Sequence, residues 1–197
     1  MLEYLLELNK PVLIGDYTTR RNLDILNELG SIDTLKKLDV SVWRWRDNDK
    51  INYGDFNYLA QNYEEFCDRS PNANIKQSYF SKLDIDDPLF DFEQGRYWVW
   101  WASRESVTPL HKDPFNNFVL QIRGTKLWNL YSPDYNSDFY EKNDNNFEFS
   151  RDMSDLGVSP TCRFVMKPNE LLFVPSNWSH EVYCINDDTL SLNCFLN

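Results

Sequence analysis

Residues 107–126 read VTPLHKDPFNNFVLQIRGTK, directly after the aromatic run RYWVWWAS at 96–103. In this stretch His111 and Asp113 stand two residues apart, so on an extended backbone both side chains leave the same face. One imidazole and one carboxylate together make half a metal site. The chain holds only two histidines, and the second is His180, in the segment FVPSNWSHEV at 173–182. Two histidines and a carboxylate gripping one face of a metal, with the opposite positions open, form the ligand set of non-haem Fe(II) oxygenases.

Working outward from that stretch, 118–123 reads as a strand that turns at Gly124-Thr125 into a second strand, 126–131. The expected β-hairpin places Lys126 beside the metal ligands. Downstream, short strands are expected at 164–166, 171–174, 181–185 and 190–195, the first two separated by a Lys167-Pro168-Asn169-Glu170 turn. Many short strands without crossover helices mean an antiparallel barrel or jelly roll. Residues 135–159, rich in Asn, Asp, Ser and Tyr and without a sustained period, read as a long insertion between strands.

Upstream, leucines at helical spacing predict a short helix before Asn9-Lys10-Pro11, and 12–14 reads as a buried strand. Thr18 or Thr19 is placed to cap a helix running to about Leu29, with Leu23, Leu26 and Leu29 on one face and Gly30 as its stop. Its expected role is to cover one face of the barrel. The alternation Trp43-Arg44-Trp45-Arg46 marks a half-exposed strand, 56–66 a helical stripe, 70–74 a loop, 75–81 a strand and 83–93 a solvated acidic loop. Trp98, Trp100 and Trp101 are expected to form a buried aromatic layer, and Trp178 to pack beneath the backbone before His180. The layout is one domain, 1–197, with an N-terminal strand and helix part at 1–95 and a barrel core at 96–197.

Composition excludes several classes. A net charge of −11 and 20 Lys and Arg against 31 Asp and Glu argue against broad phosphate-backbone binding. A basic peptide is a better electrostatic match. Cys67, Cys162, Cys184 and Cys194 show no CxxC spacing, the start MLEYLLEL is too short and acidic for a signal peptide, and no apolar run is long enough to span a bilayer. The expectation is reduced thiols in a cytoplasmic or nuclear protein that makes no membrane contact.

The ordered set Thr108-Pro-Leu-His111-Lys-Asp113, Asn117, the QIRGTK segment ending in Lys126, PNELLFVPSNWSH at 168–180 and Ser191-Leu-Asn193 resembles the JmjC-domain, cupin-type oxygenases, most closely their small hydroxylase branch. The resemblance runs from the Lys10-Pro11 strand to Asn193 and is densest between 96 and 195. It implies a mainly β fold, a double-stranded β-helix of jelly-roll or cupin type with flanking N-terminal helices. It also implies Fe(II) held by His111, Asp113 and His180, with 2-oxoglutarate as co-substrate and dioxygen as oxidant. In such enzymes the co-substrate is oxidatively decarboxylated to succinate and carbon dioxide while oxygen enters a substrate C–H bond. Lys126, fifteen residues after His111, takes the place of the lysine that neutralises the distal carboxylate. Thr108 and Tyr79 match its hydroxyl donors, and Asn117 and Asn193 match asparagines near the co-substrate. Where the family commonly has Pro-Gly-Asp, this chain has Pro168-Asn169-Glu170, and Asn tolerates the left-handed backbone such a turn demands.

The His-x-Asp form, small size and single-domain layout look like that hydroxylase branch, and the resemblance so implies hydroxylation of a protein side chain. Three readings compete with it: an Nε-methyl-lysine demethylase, a tRNA-base hydroxylase and a non-catalytic cupin. The substrate, the oxidised atom and the oligomeric state, a homodimer included, are not legible in the chain.

Overall fold

A computed structural model of the chain describes residues 2–37, 42–44, 49–51, 71–75, 96–102, 104, 106–136 and 157–196. Among the described residues three helices precede the barrel: α1 (Leu2–Leu8), α2 (Arg20–Asn27) and α3 (Ile32–Lys37). Twelve strands are described. β1 (Val12–Ile14), β2 (Val42–Arg44), β3 (Asp49–Ile51) and β4 (Pro71–Ile75) come first. Then follow β5 (Arg96–Ala102), β6 (Val107–Lys112), β7 (Asn116–Arg123), β8 (Lys126–Tyr131), β9 (Cys162–Met166), β10 (Leu171–Val174), β11 (Ser179–Cys184) and β12 (Thr189–Leu196).

The strands form two antiparallel sheets. The large sheet runs β1-β10-β7-β12-β5-β4-β2-β3 and the small one β6-β11-β8-β9. From β5 to β12 the chain changes sheet at each step except between β8 and β9, which pair with each other. Four barrel strands in each sheet, connected in this way, make the expected jelly roll.

The reading of 118–131 as a hairpin is corrected by this topology. β7 pairs with β10 and β12, and β8 with β11 and β9, so the Gly124-Thr125 turn carries the chain from one sheet to the other. Gly124 has φ +70, and a Cβ there would lie 2.5 Å from the Asp188 carbonyl oxygen. The corner therefore needs glycine both for its backbone and for its space. A second correction concerns 70–74: Pro71–Ile75 is a strand paired with both β2 and β5. Pro71 stands at its first position, where a missing N–H is tolerated, and pairing on both sides overrides a low strand propensity.

The core has two layers. Outside the large sheet, Leu26 and Leu29 meet Phe118, Leu120, Phe173 and Leu190, all 0–2% exposed. Inside the barrel, Val119, Leu172 and Val174 face Trp128, Leu130, Met166 and Val182. Covering the outer face is thus the task of the N-terminal helices, as expected. Thr19 caps α2 by accepting from the Asn22 amide at 3.3 Å. A turn of 3-10 helix, Glu28–Gly30, ends the run, and α3 follows, an element the sequence reading does not include. Gly30 lies against the Arg123 guanidinium, which forms an ion pair with Asp188, Nε lying 2.7 Å from Oδ2, and donates from Nη2 to Asp188 Oδ1 and from Nη1 to Asn27 Oδ1, both at 2.9 Å. β1 lies where predicted, but it is half-buried rather than buried. The stripe at 56–66, all of the strand expected at 75–81 except Ile75, the acidic segment 83–93 and most of the 135–159 insertion lie outside the described residues.

Asn169 adopts φ +69, the left-handed conformation expected of the Pro-Asn-Glu turn. It also does what glycine cannot. Its Oδ1 accepts from the Thr18 amide at 2.7 Å and its Nδ2 donates to the Thr18 carbonyl at 2.9 Å, fastening the N-terminal segment to the barrel. Asn169→Gly is expected to cost about 1–2 kcal/mol through these two bonds, and Asn169→Ala about 1 kcal/mol more through left-handed strain. Urea unfolding of both variants checks the order, and equal midpoints would refute it.

Candidate metal and co-substrate site

The inward faces of β6, β7, β8, β11 and β12 enclose a cavity of about 130 Å³. Its wall includes His111, Asp113, His180, Lys126, Thr108, Asn117 and Asn193, so seven of the eight residues singled out from sequence meet in one place. The eighth, Tyr79, lies outside the described residues. The wall also holds Trp100, Trp128, Val182 and Phe195, which sequence reading did not assign to the site. For Trp100 the sequence predicts a packing layer, whereas the pairing of β5 with β12 sets it opposite Ser191 on the cavity side, a face that Trp98, two residues away, shares.

His111 and His180 are directly opposed across β6 and β11. Their ring centroids are 4.2 Å apart, and His180 Nε2 lies 3.7 Å from Asp113 Oδ2. One ligand atom from each of the three residues falls within 4.8 Å of the others. Metal–ligand bonds of about 2 Å place neighbouring donor atoms roughly 3 Å apart, so modest closure suffices to hold one ion. Each ring is fixed from behind: His111 Nδ1 lies 2.8 Å from the Pro109 carbonyl and His180 Nδ1 2.9 Å from the Trp178 carbonyl. A proton on each Nδ1, inferred from these contacts, leaves both Nε2 lone pairs for the metal. Trp178 is buried, as expected of a packing residue, and its carbonyl sets a ligand ring as well.

Thr108 and His111 are three residues apart, an odd spacing that on a regular strand sends them to opposite faces. The ladder between β6 and β11 shifts between His180–His111 and Val182–Thr108, two steps on one strand against three on the other. This β-bulge spans Pro109 and Leu110, and Pro109 brings no N–H that a ladder would leave unpaired. The bulge is what lets a hydroxyl and a metal-type ligand share one cavity.

His180 is 2% exposed, and burial, with His111 alongside, pushes its pKa down to about 4; Asp113 and the Trp178 carbonyl act weakly the other way. It is a neutral imidazole at physiological pH, the form a metal requires. Below pH about 6.5 an unfolded histidine takes a proton that folded His180 refuses until about pH 4. The stability of the metal-free protein is therefore expected to hold above pH 6.5 and to fall steadily between 6.5 and 4, as read by urea midpoints. The fall should shrink in His180→Gln, and an unchanged slope would overturn the assignment.

Lys126 is 5% exposed and donates to Ser191 Oγ at 2.8 Å. No carboxylate pairs with it among the described residues. Burial lowers its pKa, with Cys184 opposing. A buried ammonium facing only a neutral hydroxyl is costly unless an anion completes it. Asn117 Oδ1 and Trp128 Nε1, buried atoms of two wall residues, find no hydrogen-bond partner among the described residues. Buried polar atoms are normally satisfied, so this wall fits a polar, anionic ligand lying between Lys126 and the three metal-type ligands. Of the cysteines, Cys162, Cys184 and Cys194 are free, and burial raises the Cys194 pKa to about 12, so its thiol is inert.

A barrel of two antiparallel sheets with a His–Asp–His cluster inside defines a cupin-type protein. The model of the cupin-like domain family matches residues 3–197, and the chain belongs to that family. Relatives include the 2-oxoglutarate and iron-dependent oxygenase JMJD4 of Gallus gallus, 29% identical over 127 residues, 58% of this chain and 28% of that protein. Another is the bifunctional lysine-specific demethylase and histidyl-hydroxylase NO66 of Culex quinquefasciatus, 24% identical over 186 residues, 90% of this chain and 28% of that protein. Among solved structures, that of E. coli ycfD superposes with a TM-score of 0.62 over 95% of this chain and 50% of that one; at 13% identity the likeness is one of fold. The chain spans about a third or less of the length of the curated relatives it matches. No described helix is long and apolar enough to cross a membrane.

Proposed function

We propose that the chain is an Fe(II)- and 2-oxoglutarate-dependent oxygenase that hydroxylates a protein side chain. The observation carrying this reading is the pairing, in one cavity, of a His111–Asp113–His180 cluster with a buried lysine that has no anionic partner among the described residues. Bound iron and 2-oxoglutarate would supply the oxidising chemistry. The chain's own residues do the rest. His111 and His180 present Nε2 because their Nδ1 atoms are held by carbonyls, and Asp113 supplies the negative charge. Lys126, with Ser191, Thr108 and Asn193 nearby, takes the distal carboxylate and so sets how the co-substrate lies. Trp128 stacks on the His180 ring at 5.4 Å and holds it in place.

A protein substrate is supported by the name of the NO66 relative, a demethylase and histidyl-hydroxylase. The same name favours a second reading, demethylation of an N-methyl group, and the net charge of −11 suits a basic peptide under either. The test is incubation with Fe(II), 2-oxoglutarate and candidate peptides. Succinate with one oxygen atom gained by the peptide supports hydroxylation, succinate with formaldehyde and a lost methyl group moves the reading to demethylation, and no 2-oxoglutarate binding at all returns it to a non-catalytic cupin.

A further inference from the structure

The two arms that carry the ligand cluster are far apart in sequence, yet they are tied together beyond the cavity. Asp113 leaves the end of β6, and His180 is the second residue of β11, entered through the turn Pro175–Trp178. In that turn Asn177 takes φ +63, and its amide donates to the Asp113 carbonyl at 2.8 Å. One residue before it, the Ser176 amide donates to Asn116 Oδ1 at 3.0 Å. These bonds join the two arms, and a third residue clamps the turn from outside.

That residue is Asn136, just beyond the 3-10 turn Pro133–Tyr135 that ends β8. Its Nδ2 donates to the Asn177 carbonyl at 3.1 Å, and its Oδ1 accepts from Ser179 Oγ at 2.7 Å. A single amide thus bridges the residues on either side of Trp178, whose carbonyl holds the His180 ring at 2.9 Å. Asn177 passes the same restraint to the Asp113 backbone. An amide is suited to this because it donates at one end and accepts at the other. Ser, Asp or Ala would each lose at least one end.

We propose that Asn136 is a positioning residue for the metal cluster, holding the His180 arm against the Asp113 arm so that the ligand atoms converge before any metal arrives. The proposal rests on the metal reading above, and its geometry is independent of it. Losing an outer partner that orients metal ligands costs about 10–100-fold in affinity, and Asn136 acts on two ligands through a partly exposed contact, so the lower half of that range is expected.

The test is anaerobic titration of wild type, Asn136→Asp and Asn136→Ala with Co(II), reading affinity and the positions of its ligand-field bands, together with hydrogen exchange of the Asn177 amide in metal-free protein. Asn136→Ala should bind Co(II) about 10- to 30-fold more weakly, with shifted bands and faster Asn177 exchange, while its melting temperature stays close to wild type. Asn136→Asp, which keeps the Ser179 bond and loses the donor to Asn177, should fall between, and it serves if the alanine variant folds poorly. Wild-type affinity and unshifted bands in both variants would overturn the proposal. If wild type itself binds no Co(II), the metal reading fails, and the clamp is then judged by exchange alone: an Asn177 amide no faster in either variant would overturn it too.

Discussion

His111→Ala is expected to abolish tight Fe(II) binding while leaving the protein folded. His111 is half-buried at the end of β6 and supplies one of three ligand atoms that gather within 4.8 Å. With one protein ligand gone, His180 and Asp113 alone cannot hold a facial site, and the loss should exceed the roughly 100-fold that outer partners can cost. The readout is the visible charge-transfer band formed anaerobically when Fe(II) and 2-oxoglutarate are both present. A band in wild type that needs both components and vanishes in the variant supports the cluster as a metal site. Bands of equal strength in the two proteins would refute it. Ligand removal provides a second handle, because a metal at 100 times its dissociation constant stabilises the folded state by about 2.7 kcal/mol. Chelation should therefore lower the melting temperature of wild type and leave that of His111→Ala unchanged.

Lys126→Met should separate binding from stability in opposite directions. The ammonium is buried on β8 with Ser191 as its hydrogen-bond partner, so methionine, of similar length and without charge, relieves a desolvation cost and is expected to keep or raise the melting temperature. Affinity for 2-oxoglutarate should fall sharply. Truncating one member of a buried charge pair costs about 2–5 kcal/mol, or roughly 30- to 4,000-fold, while Fe(II) affinity without the co-substrate stays near wild type. Isothermal titration with 2-oxoglutarate and with Co(II) measures the two separately. An unchanged 2-oxoglutarate affinity would place the distal carboxylate elsewhere in the cavity.

The polar face of β12 shows why some of the site could be read early and some could not. Thr189, Ser191 and Asn193 alternate with Leu190, Leu192 and Cys194, a pattern that ordinarily puts the polar side in water. Here the leucines turn outward to the N-terminal helices and the polar side turns inward to Lys126 and the cavity. Asn193 was legible through the order of its motif. Ser191, which holds Lys126, was not, because nothing local says which face of a doubly buried strand looks into a barrel. Trp128 was hidden for the same reason: a tryptophan in a strand carries no mark that separates a packing role from a cavity wall.

By itself the sequence determined most of the barrel strands, the left-handed Asn169 turn, a helix start at Thr18 or Thr19 and the identity of the residues able to ligate a metal, because each follows from local backbone preference or from side-chain chemistry. The short-strand pattern likewise determined the barrel class. Only the tertiary structure decided that Gly124 turns a corner between sheets rather than closing a hairpin, that Pro71–Ile75 pairs as a strand, and that a bulge at Pro109 brings Thr108 and His111 to one side. It also decided that Asn136 reaches across 41 residues to Asn177. Strand partners and ladder shifts are set by contacts between segments distant in the chain, and the energy of such pairing is not contained in any one segment.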